Sequence, residues 1–336
     1  MSFSVRSISL PKAIASGVGT AGLALIMVLA GCATARPVPS TGAAPGTWRV
    51  EAGLLKNGAK RSYLLHVPTG YQAGRDHPLV VVLHGAFSTA REMESWTGWS
   101  TLADREGFIV AYPEGGWGIL GWLQHWNAGH CCGRAVDENQ DDVGFVVEVV
   151  ADASRRAKVD AARVYVTGFS NGGMLTYRVI AERTGLFAAA APLAATHGGR
   201  ATAESPLWVT PEPHGRLPVL VMHGLEDRNV PFAGGVSPQK GGGREYLPAA
   251  DAVRFWVLAN GLEPEPAVER LHEGAVTRSA WSRPGAAGPE VVFYAIAGWD
   301  HRWPGGVFTA GLPQGDPLRG FDATAIVWEF FSRHTR

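Results

Sequence analysis

One serine lies in a sequence pattern that could make it a nucleophile, Gly168-Phe169-Ser170-Asn171-Gly172. A β-rich apolar run at residues 164–167 precedes it, and a segment of helical character follows at 174–183. A strand, a tight turn and a helix in this order lift a hydroxyl into the open and aim the next backbone N–H at a developing oxyanion. The two glycines suit a turn that leaves no room for a Cβ beside the neighbouring strand and helix. The pattern predicts Ser170 as the nucleophile and Asn171 as an oxyanion donor.

A serine nucleophile needs a base, and the base needs an acid to orient it. The predicted base is His301, which follows an apolar strand at residues 291–296. The predicted acid is Asp227, in the loop after a strand at residues 219–223. Each of the three residues follows a different predicted strand, so we expect all three at one edge of a sheet.

The sequence leaves alternatives for both partners of the serine. Glu226 and Asp251 are rival acids, whereas Asp300 is better explained as a turn residue because neighbouring loop residues usually point apart. The rival bases are His84, His197 and His223. The first and last of these precede glycines at strand ends, where a histidine is more often a packed loop anchor than a catalyst.

A second oxyanion donor is expected from the loop Leu83-His84-Gly85-Ala86, which ends an earlier strand. Gly85 permits the turn, and the Ala86 N–H could face the same point as the Asn171 N–H. Two such backbone donors would lower the barrier by several kcal/mol. The alternative is an ordinary strand-ending loop.

Strands alternate with helices along most of the chain. A hairpin over residues 48–55 and 61–67, with an Asn-Gly turn, comes first. Apolar strands are predicted at residues 79–84, 108–112, 164–167, 187–193, 219–223 and 291–296, and helices at 142–157, 174–183, 250–260 and 323–334. The order predicts an α/β fold with a mostly parallel central sheet flanked by helices, after an N-terminal antiparallel hairpin.

The first residues have the pattern of an export signal. Arg6 and Lys12 precede an apolar run at residues 13–30, and the run ends in Leu29-Ala30-Gly31-Cys32, which resembles the lipobox of bacterial lipoproteins. That resemblance implies cleavage before Cys32 and lipidation of its thiol, and the outer membrane if the host is Gram-negative. An uncleaved membrane anchor and ordinary secretion are the alternatives. We therefore predict a signal peptide at 1–31, a flexible Pro/Ala/Gly-rich tether at 32–47 and one catalytic domain at 48–336.

Charge argues against a nucleic-acid partner. Lysine and arginine number 30, as do aspartate and glutamate, and removing residues 1–31 removes only two cations and no acid. The resulting charge near −2 gives no basic footprint for nucleic acid. We expect a monomer.

With Cys32 expected to carry a lipid, Cys131 and Cys132 have no distant cysteine to pair with, which leaves three interpretations open. An exported domain favours a vicinal disulfide, two buried thiols are the alternative, and a metal site with His125 and His130 is weaker because the spacing lacks the usual Cys-x-x-Cys pattern.

Five tryptophans cluster before the serine and could pack loops or line a cleft: Trp96, Trp99, Trp117, Trp122 and Trp126. Asp141 and Asp142 are interpreted as carboxylates that start a helix and hold a loop. Of the aromatic residues, Trp303 is the one most expected to contact a ligand.

In combination the motifs resemble esterases of the polyhydroxybutyrate depolymerase type, which include feruloyl and acetylxylan esterases. The motifs that carry the resemblance are Leu83-His84-Gly85, Tyr112-Pro113, Trp126-Asn127-Ala128-Gly129, Cys131-Cys132-Gly133, the serine turn, His223-Gly224 with Asp227, and His301 with Trp303-Pro304-Gly305-Gly306. The resemblance implies an α/β-hydrolase fold and a Ser170-Asp227-His301 triad that needs no metal or cofactor. His84, Trp126 and Trp303 are expected to contact the substrate.

The expected activity is hydrolysis of carboxylic esters through an acyl-enzyme. No linker or polymer-binding module follows the last predicted helix, so feruloyl, acetyl or hydroxyalkanoate-oligomer esters are expected rather than solid polyester. The alternatives are a polyhydroxybutyrate depolymerase proper, a peptidase or acyl-transferase on the same fold, and a non-catalytic envelope-binding lipoprotein. The loop at residues 207–216 matches no motif and could reshape the pocket.

Overall fold

The computed structural model describes residues 44–54, 60–116, 124–239, 243–283, 285 and 290–336. These lie within one compact unit, Ser40–Arg336. The predicted signal peptide, Cys32, most of the tether, the hairpin turn, Trp117 and Trp122 lie outside the described residues. Among the residues described, no helix combines the length and apolar character needed to cross a membrane.

The described residues form fourteen strands and eight α-helices, numbered in chain order. The strands are β1 (Gly46–Leu54), β2 (Lys60–Val67), β3 (His77–Leu83), β4 (Ile109–Pro113), β5 (Val159–Phe169), β6 (Ala189–Leu193), β7 (Gly198–Arg200), β8 (Trp208–Val209), β9 (Val219–Gly224), β10 (Gly235–Val236), β11 (Glu245–Tyr246), β12 (Ala267–Leu271), β13 (Val276–Trp281) and β14 (Val291–Ile296). The helices are α1 (Ala90–Thr97), α2 (Trp99–Glu106), α3 (Gly133–Asp137), α4 (Asp142–Arg156), α5 (Asn171–Glu182), α6 (Ala249–Ala259), α7 (Gly306–Ala310) and α8 (Ala323–Ser332).

Ten strands form the central sheet, in the order β1-β2-β4-β3-β5-β6-β9-β14-β13-β12. The six strands from β4 to β14 run parallel to one another. The β1–β2 hairpin adds an antiparallel edge on one side, and β13 and β12 add another on the other side. The predicted mostly parallel sheet and N-terminal hairpin are confirmed.

The side chains of β3 divide between two cores, because neighbouring residues of a strand point to opposite faces. Leu79, Val81 and Leu83 join one apolar core, and Val80 and Val82 join the other. The first core takes buried residues from α4, α5 and α6, and the second from α1, α2 and α8. Helices thus cover both faces, which explains the unbroken apolar runs of the central strands.

A second, four-stranded antiparallel sheet has the order β10-β11-β7-β8. The unassigned loop at residues 207–216 contributes β8 to it, and the Thr210 N–H donates to the His197 carbonyl at 2.8 Å. Strands of two or three residues are too short to show an alternating pattern, which is why the sequence did not predict this sheet.

Strand β1 starts at Gly46, two residues before the predicted start of the catalytic domain at 48. The Thr47 hydroxyl donates to Glu94 Oε1 at 2.6 Å and lies 2.8 Å from His66 Nδ1. The last residues of the expected tether therefore belong to the first strand.

Candidate active site

Ser170 occupies the turn between β5 and α5 with φ 55° and ψ −122°. A non-glycine residue reaches this region only at a cost, so surrounding contacts must hold it there. The Ser170 N–H donates to the Leu193 carbonyl at 3.0 Å, and its own carbonyl accepts from the Met174 N–H at 2.9 Å. Strand β6 and the first turn of α5 thus fix the serine from two sides.

The glycines of the turn allow backbone to pack directly on backbone. A Cβ on Gly168 would lie 2.4 Å from the Gly172 carbonyl oxygen. A Cβ on Gly172 would lie 2.4 Å from the carbonyl oxygens of both Leu83 and His84 at the end of β3. Real Cβ contacts are not this short, so the expected steric reason for both glycines is confirmed.

His301 bridges the serine and the predicted acid. Its Nε2 lies 2.8 Å from Ser170 Oγ, and its Nδ1 lies 2.7 Å from Asp227 Oδ2. The loops after β5, β9 and β14 carry the three residues, and these strands bring them to the carboxyl edge of the sheet. Ser170 and His301 are partly exposed there, whereas the Asp227 side chain is fully buried.

The buried Asp227 carboxylate is held in its charged form. Burial alone would raise its pKa, but hydrogen bonds from His223 and His301 outweigh burial and hold the pKa of Asp227 below its ordinary value. Its second oxygen, Oδ1, accepts from the N–H groups of Asn229 at 2.9 Å and Val230 at 2.8 Å. An anion with this many donors can stabilise a positive charge that forms on His301.

The rival acids and bases lie elsewhere or do other work. Glu226 and Asp251 are exposed, and Asp300 pairs with Arg302 at 2.5 Å. His197 is buried against Phe255. His223 Nε2 donates to the Val230 carbonyl at 2.8 Å, so it anchors the acid loop and does not contact the serine.

The loop after β3 lies against the serine. The position that a Gly85 Cβ would take is 3.4 Å from Ser170 Cβ, and Ala86 follows in the same turn. Asn171 is the first residue of α5, so its N–H has no acceptor within the helix. The N–H groups of the next two residues already have acceptors in the protein. Phe87 donates to the Gln124 carbonyl, and Ser88 donates to the Gly85 carbonyl. Ala86 and Asn171 are thus near the serine on two sides.

His84 and Trp126 lie beneath this loop rather than at its surface. His84 Nδ1 donates to the Gly85 carbonyl at 2.7 Å, and its Nε2 accepts from the Gly115 N–H at 2.9 Å. The Trp126 indole donates to the His84 carbonyl at 2.8 Å. Both side chains are fully buried, so the structure corrects their expected substrate contact. Burial lowers the pKa of His84 to about 4.

Trp303 is also placed inside the protein. Only 1% of it is exposed, and its indole N–H donates to Thr324 Oγ1 at 3.1 Å. It joins the core beneath α8, because the chain turns inward directly after His301. The expectation that it contacts ligand is corrected. Trp99 packs on Phe108 in the same core, as the packing interpretation predicted.

The Asn171 side chain has a role that the sequence did not indicate. Its Oδ1 accepts from the Trp126 N–H at 2.8 Å, and its Nδ2 donates to the carbonyls of Trp126 and Cys131, both at 3.1 Å. It therefore ties the segment from Trp126 to Cys131 to the serine turn. The backbone that the Asn171 amide contacts lies 40 to 45 residues earlier in the chain, so the sequence around Asn171 does not indicate these hydrogen bonds.

Cys131 and Cys132 form a vicinal disulfide across a cis peptide bond. This is the first of the three interpretations, and the sulfurs are not available as separate metal ligands. Within the described part of the chain, no group of three or more His, Cys, Asp or Glu residues is placed to hold a metal ion.

Asp141 and Asp142 have the roles expected of them. Asp141 caps α4 by accepting from the Gly144 N–H at 2.8 Å. Asp142 is buried, pairs with Arg61 at 2.6 Å and accepts from the Asn127 N–H at 2.6 Å. Asp142 and Asn171 therefore both hydrogen-bond to the backbone of the segment from Trp126 to Cys131.

Known proteins with similar sequences are esterases. The family described as "Esterase PHB depolymerase" matches residues 61–207. The chain is 32% identical to "Putative esterase NocK" of Nocardia uniformis subsp. tsuyamanensis over 75% of this chain and 73% of that protein. It is 29% identical to "Feruloyl esterase B" of Piromyces equi over 61% of this chain, and 34% identical to "Poly(3-hydroxyalkanoate) depolymerase C" of Paucimonas lemoignei over 38%. These alignments span 37% and 30% of the latter two proteins.

Solved structures share the fold at low sequence identity. An acetyl xylan esterase from Aspergillus awamori superposes with a TM-score of 0.57 at 16% identity, over 86% of this chain and 99% of the other. A ferulic acid esterase from Anaeromyces mucronatus gives a TM-score of 0.50 at 15% identity, over 77% and 85%. These similarities establish the α/β-hydrolase fold, and the sequence matches show that the chain belongs to the polyhydroxybutyrate depolymerase-type family of carboxylic ester hydrolases.

Proposed function

We propose that this ester hydrolase works through a Ser170-His301-Asp227 triad and a covalent acyl-enzyme. The observation that carries the proposal is the pair of hydrogen bonds that His301 makes, at 2.8 Å to Ser170 and 2.7 Å to Asp227. In this arrangement His301 Nε2 takes the proton of Ser170 Oγ as the oxygen attacks the ester carbonyl. Asp227 holds Nδ1–H and stabilises the imidazolium.

The tetrahedral intermediate then collapses. The C–O bond to the alcohol breaks, and His301 returns the proton to the leaving alkoxide, which leaves Ser170 acylated. Water enters next and gives a proton to His301 as its oxygen attacks the acyl carbon. The bond between that carbon and Ser170 Oγ then breaks, His301 returns its proton to Ser170 Oγ, and the carboxylic acid leaves. No atom beyond ester and water is needed.

The oxyanion of both intermediates would lie between the N–H groups of Ala86 and Asn171. Support comes from the contact of Gly85 with Ser170 and from the position of Asn171 at the start of the 12-residue helix α5. The positive end of the helix dipole adds to the attraction for an oxyanion.

We further propose that the enzyme is exported and held at a membrane by a lipid on Cys32, with residues 32–45 as the tether. The support is the sequence pattern of residues 6–32. As substrates we propose aromatic esters, acetyl esters or hydroxyalkanoate oligomers. Relatives of the chain are named as a feruloyl esterase, an acetylxylan esterase and a poly(3-hydroxyalkanoate) depolymerase.

The test is hydrolysis of short p-nitrophenyl esters, methyl ferulate and 3-hydroxybutyrate oligomers by the full chain and by Ser170→Ala. We expect Ser170→Ala to lose at least about 10³-fold in kcat/KM and to resist labelling by a serine-directed phosphonate. Ser332→Ala, which removes an exposed hydroxyl bonded only to its own helix at the Glu329 carbonyl, is the matched control. Turnover by Ser170→Ala within a few-fold of wild type would overturn the triad.

A further inference from the structure

Arg244 is a half-buried cation for which the described residues offer no carboxylate partner. Its Nη1 donates to Cys132 Sγ at 3.2 Å, and no Asp or Glu of the described chain pairs with it. Glu245, beside it on the chain, faces Arg200 at 3.4 Å instead. A guanidinium taken partly out of water without an anion loses solvation that only a charged acceptor restores well.

Contacts on the guanidinium side connect Arg244 to the serine turn. Cys132 lies next to Cys131, whose carbonyl accepts from Asn171 Nδ2 at 3.1 Å. Asn171 directly follows Ser170. One further residue along, Gly133 packs on the ring of His125, and that ring meets Phe87 edge-on at 5.0 Å, next to Ala86. The disulfide segment thus separates Arg244 from the serine turn by one layer of residues.

Contacts on the backbone side connect Arg244 to the acid loop. Its carbonyl accepts from the Ser237 N–H at 2.9 Å. The Ser237 hydroxyl donates to the Asn229 carbonyl at 2.9 Å, and the Asn229 N–H donates to Asp227 Oδ1 at 2.9 Å. Arg244 is therefore fixed between the acid loop and the disulfide segment, at the same edge of the sheet as the triad.

The titratable neighbours of Arg244 do not supply an anion. Burial, and to a lesser extent the charge of Arg244, lowers the pKa of His125 and lowers that of His130 to about 3. Burial likewise raises the pKa of Tyr246 to about 12. All three groups are therefore neutral near pH 7, and the guanidinium charge is left for a group from outside the chain.

We propose that Arg244 binds a carboxylate on the alcohol side of the substrate, as found at the free acid end of a hydroxyalkanoate oligomer. The planar fork of a guanidinium matches two carboxylate oxygens, so such a contact would orient the scissile ester as well as attract it. This inference rests on the proposed function, because it assigns the substrate class of that same site.

The test compares the 3-hydroxybutyrate dimer as its free acid with the same dimer as a neutral carboxamide. The two molecules contain one identical ester bond, so the ratio of their kcat/KM values isolates the charge. We expect wild type to favour the acid by roughly 10- to 100-fold, Arg244→Gln to lose that preference, and Arg244→Lys to keep part of it. Arg200→Gln, on the neighbouring strand of the small sheet, should keep the full preference.

Three outcomes separate the possibilities. An unchanged acid preference in a folded Arg244→Gln overturns the role of Arg244, while loss of all turnover in Ser170→Ala on the same substrates still supports the triad. Ser170-independent turnover overturns the proposed function instead. A third outcome would be that wild type hydrolyses the dimer acid and the dimer amide at equal rates, yet prefers an acetylated uronic acid over its amide in a way that depends on Arg244. That result would overturn the hydroxyalkanoate as the substrate of Arg244 in favour of a sugar carboxylate.

Discussion

His223 Nε2 lies 3.4 Å from Asp227 Oδ2, the oxygen that also accepts the hydrogen bond from His301. Both histidines are thus arranged around one carboxylate oxygen, and both side chains are wholly or largely buried. The His223 proton goes mainly to the Val230 carbonyl at 2.8 Å. This places His223 as a positioning residue for the acid loop, one layer behind the triad.

Replacing His223 should therefore impair catalysis through Asp227. In His223→Leu the Val230 carbonyl loses its buried donor, which costs about 1–3 kcal/mol of stability, and the acid loop loses its anchor. We expect kcat to fall roughly tenfold or more, with KM little changed. His223→Gln keeps an N–H donor at a similar reach and should recover most of kcat. Thermal melts should first show that both variants are folded. Equal kcat values for His223→Leu and His223→Gln would then contradict a positioning role.

Gly172 should tolerate no side chain. Its Cβ would lie 2.4 Å from two carbonyl oxygens at the end of β3, and neither belongs to a flexible side chain. Gly172→Ala should lower the free energy of unfolding by about 3 kcal/mol or displace the serine turn and abolish activity. Gly74→Ala is the matched control, since nothing lies within 4 Å of its Cβ. Urea unfolding and ester hydrolysis measure the two effects, and wild-type values for Gly172→Ala would refute the packing argument.

Buried His84 should make stability fall in weak acid. Burial lowers its pKa from 6.5 to about 4, so between these values the unfolded chain binds a proton that the folded chain refuses. The contribution is complete above pH 6.5 and is lost as the pH falls to 4, by about 3 kcal/mol. His84→Gln should show a correspondingly smaller loss of unfolding free energy over that range. His214 is exposed, so the unfolding free energy of His214→Gln should fall with pH as that of wild type does. A fall in His84→Gln as large as in wild type would exclude His84 as the cause.

Cys32→Ser should release the enzyme from the membrane. If Cys32 carries the lipid, the variant should lose incorporation of a labelled fatty acid, and its ester hydrolase activity should move from the membrane pellet to the soluble fraction with kcat/KM unchanged. Ser40→Ala, in the same segment, is a matched control. Membrane-bound activity in Cys32→Ser would instead favour an uncleaved anchor at residues 13–30.

The sequence was sufficient for the parts that are coded locally. Ser170, Asp227 and His301 each follow a buried strand, and the strand-end rule brought them together correctly. It failed for Trp303 and Trp126, because whether a tryptophan beside the site faces ligand or core depends on where the chain turns next. It could not identify Arg244, whose significance lies in the absence of a carboxylate contact, and an absent contact leaves no mark on a sequence.

The order of strands has a consequence for biogenesis. The three loops that meet at the serine come from β5, β9 and β14, which are near neighbours in the sheet. Along the chain they are far apart, and His301 is 131 positions after Ser170. Strand β14 (Val291–Ile296) can pair with β9 only after both strands have emerged from the ribosome. Hydrolytic competence should therefore arise in a single late step, so nascent chains stay inert toward esters.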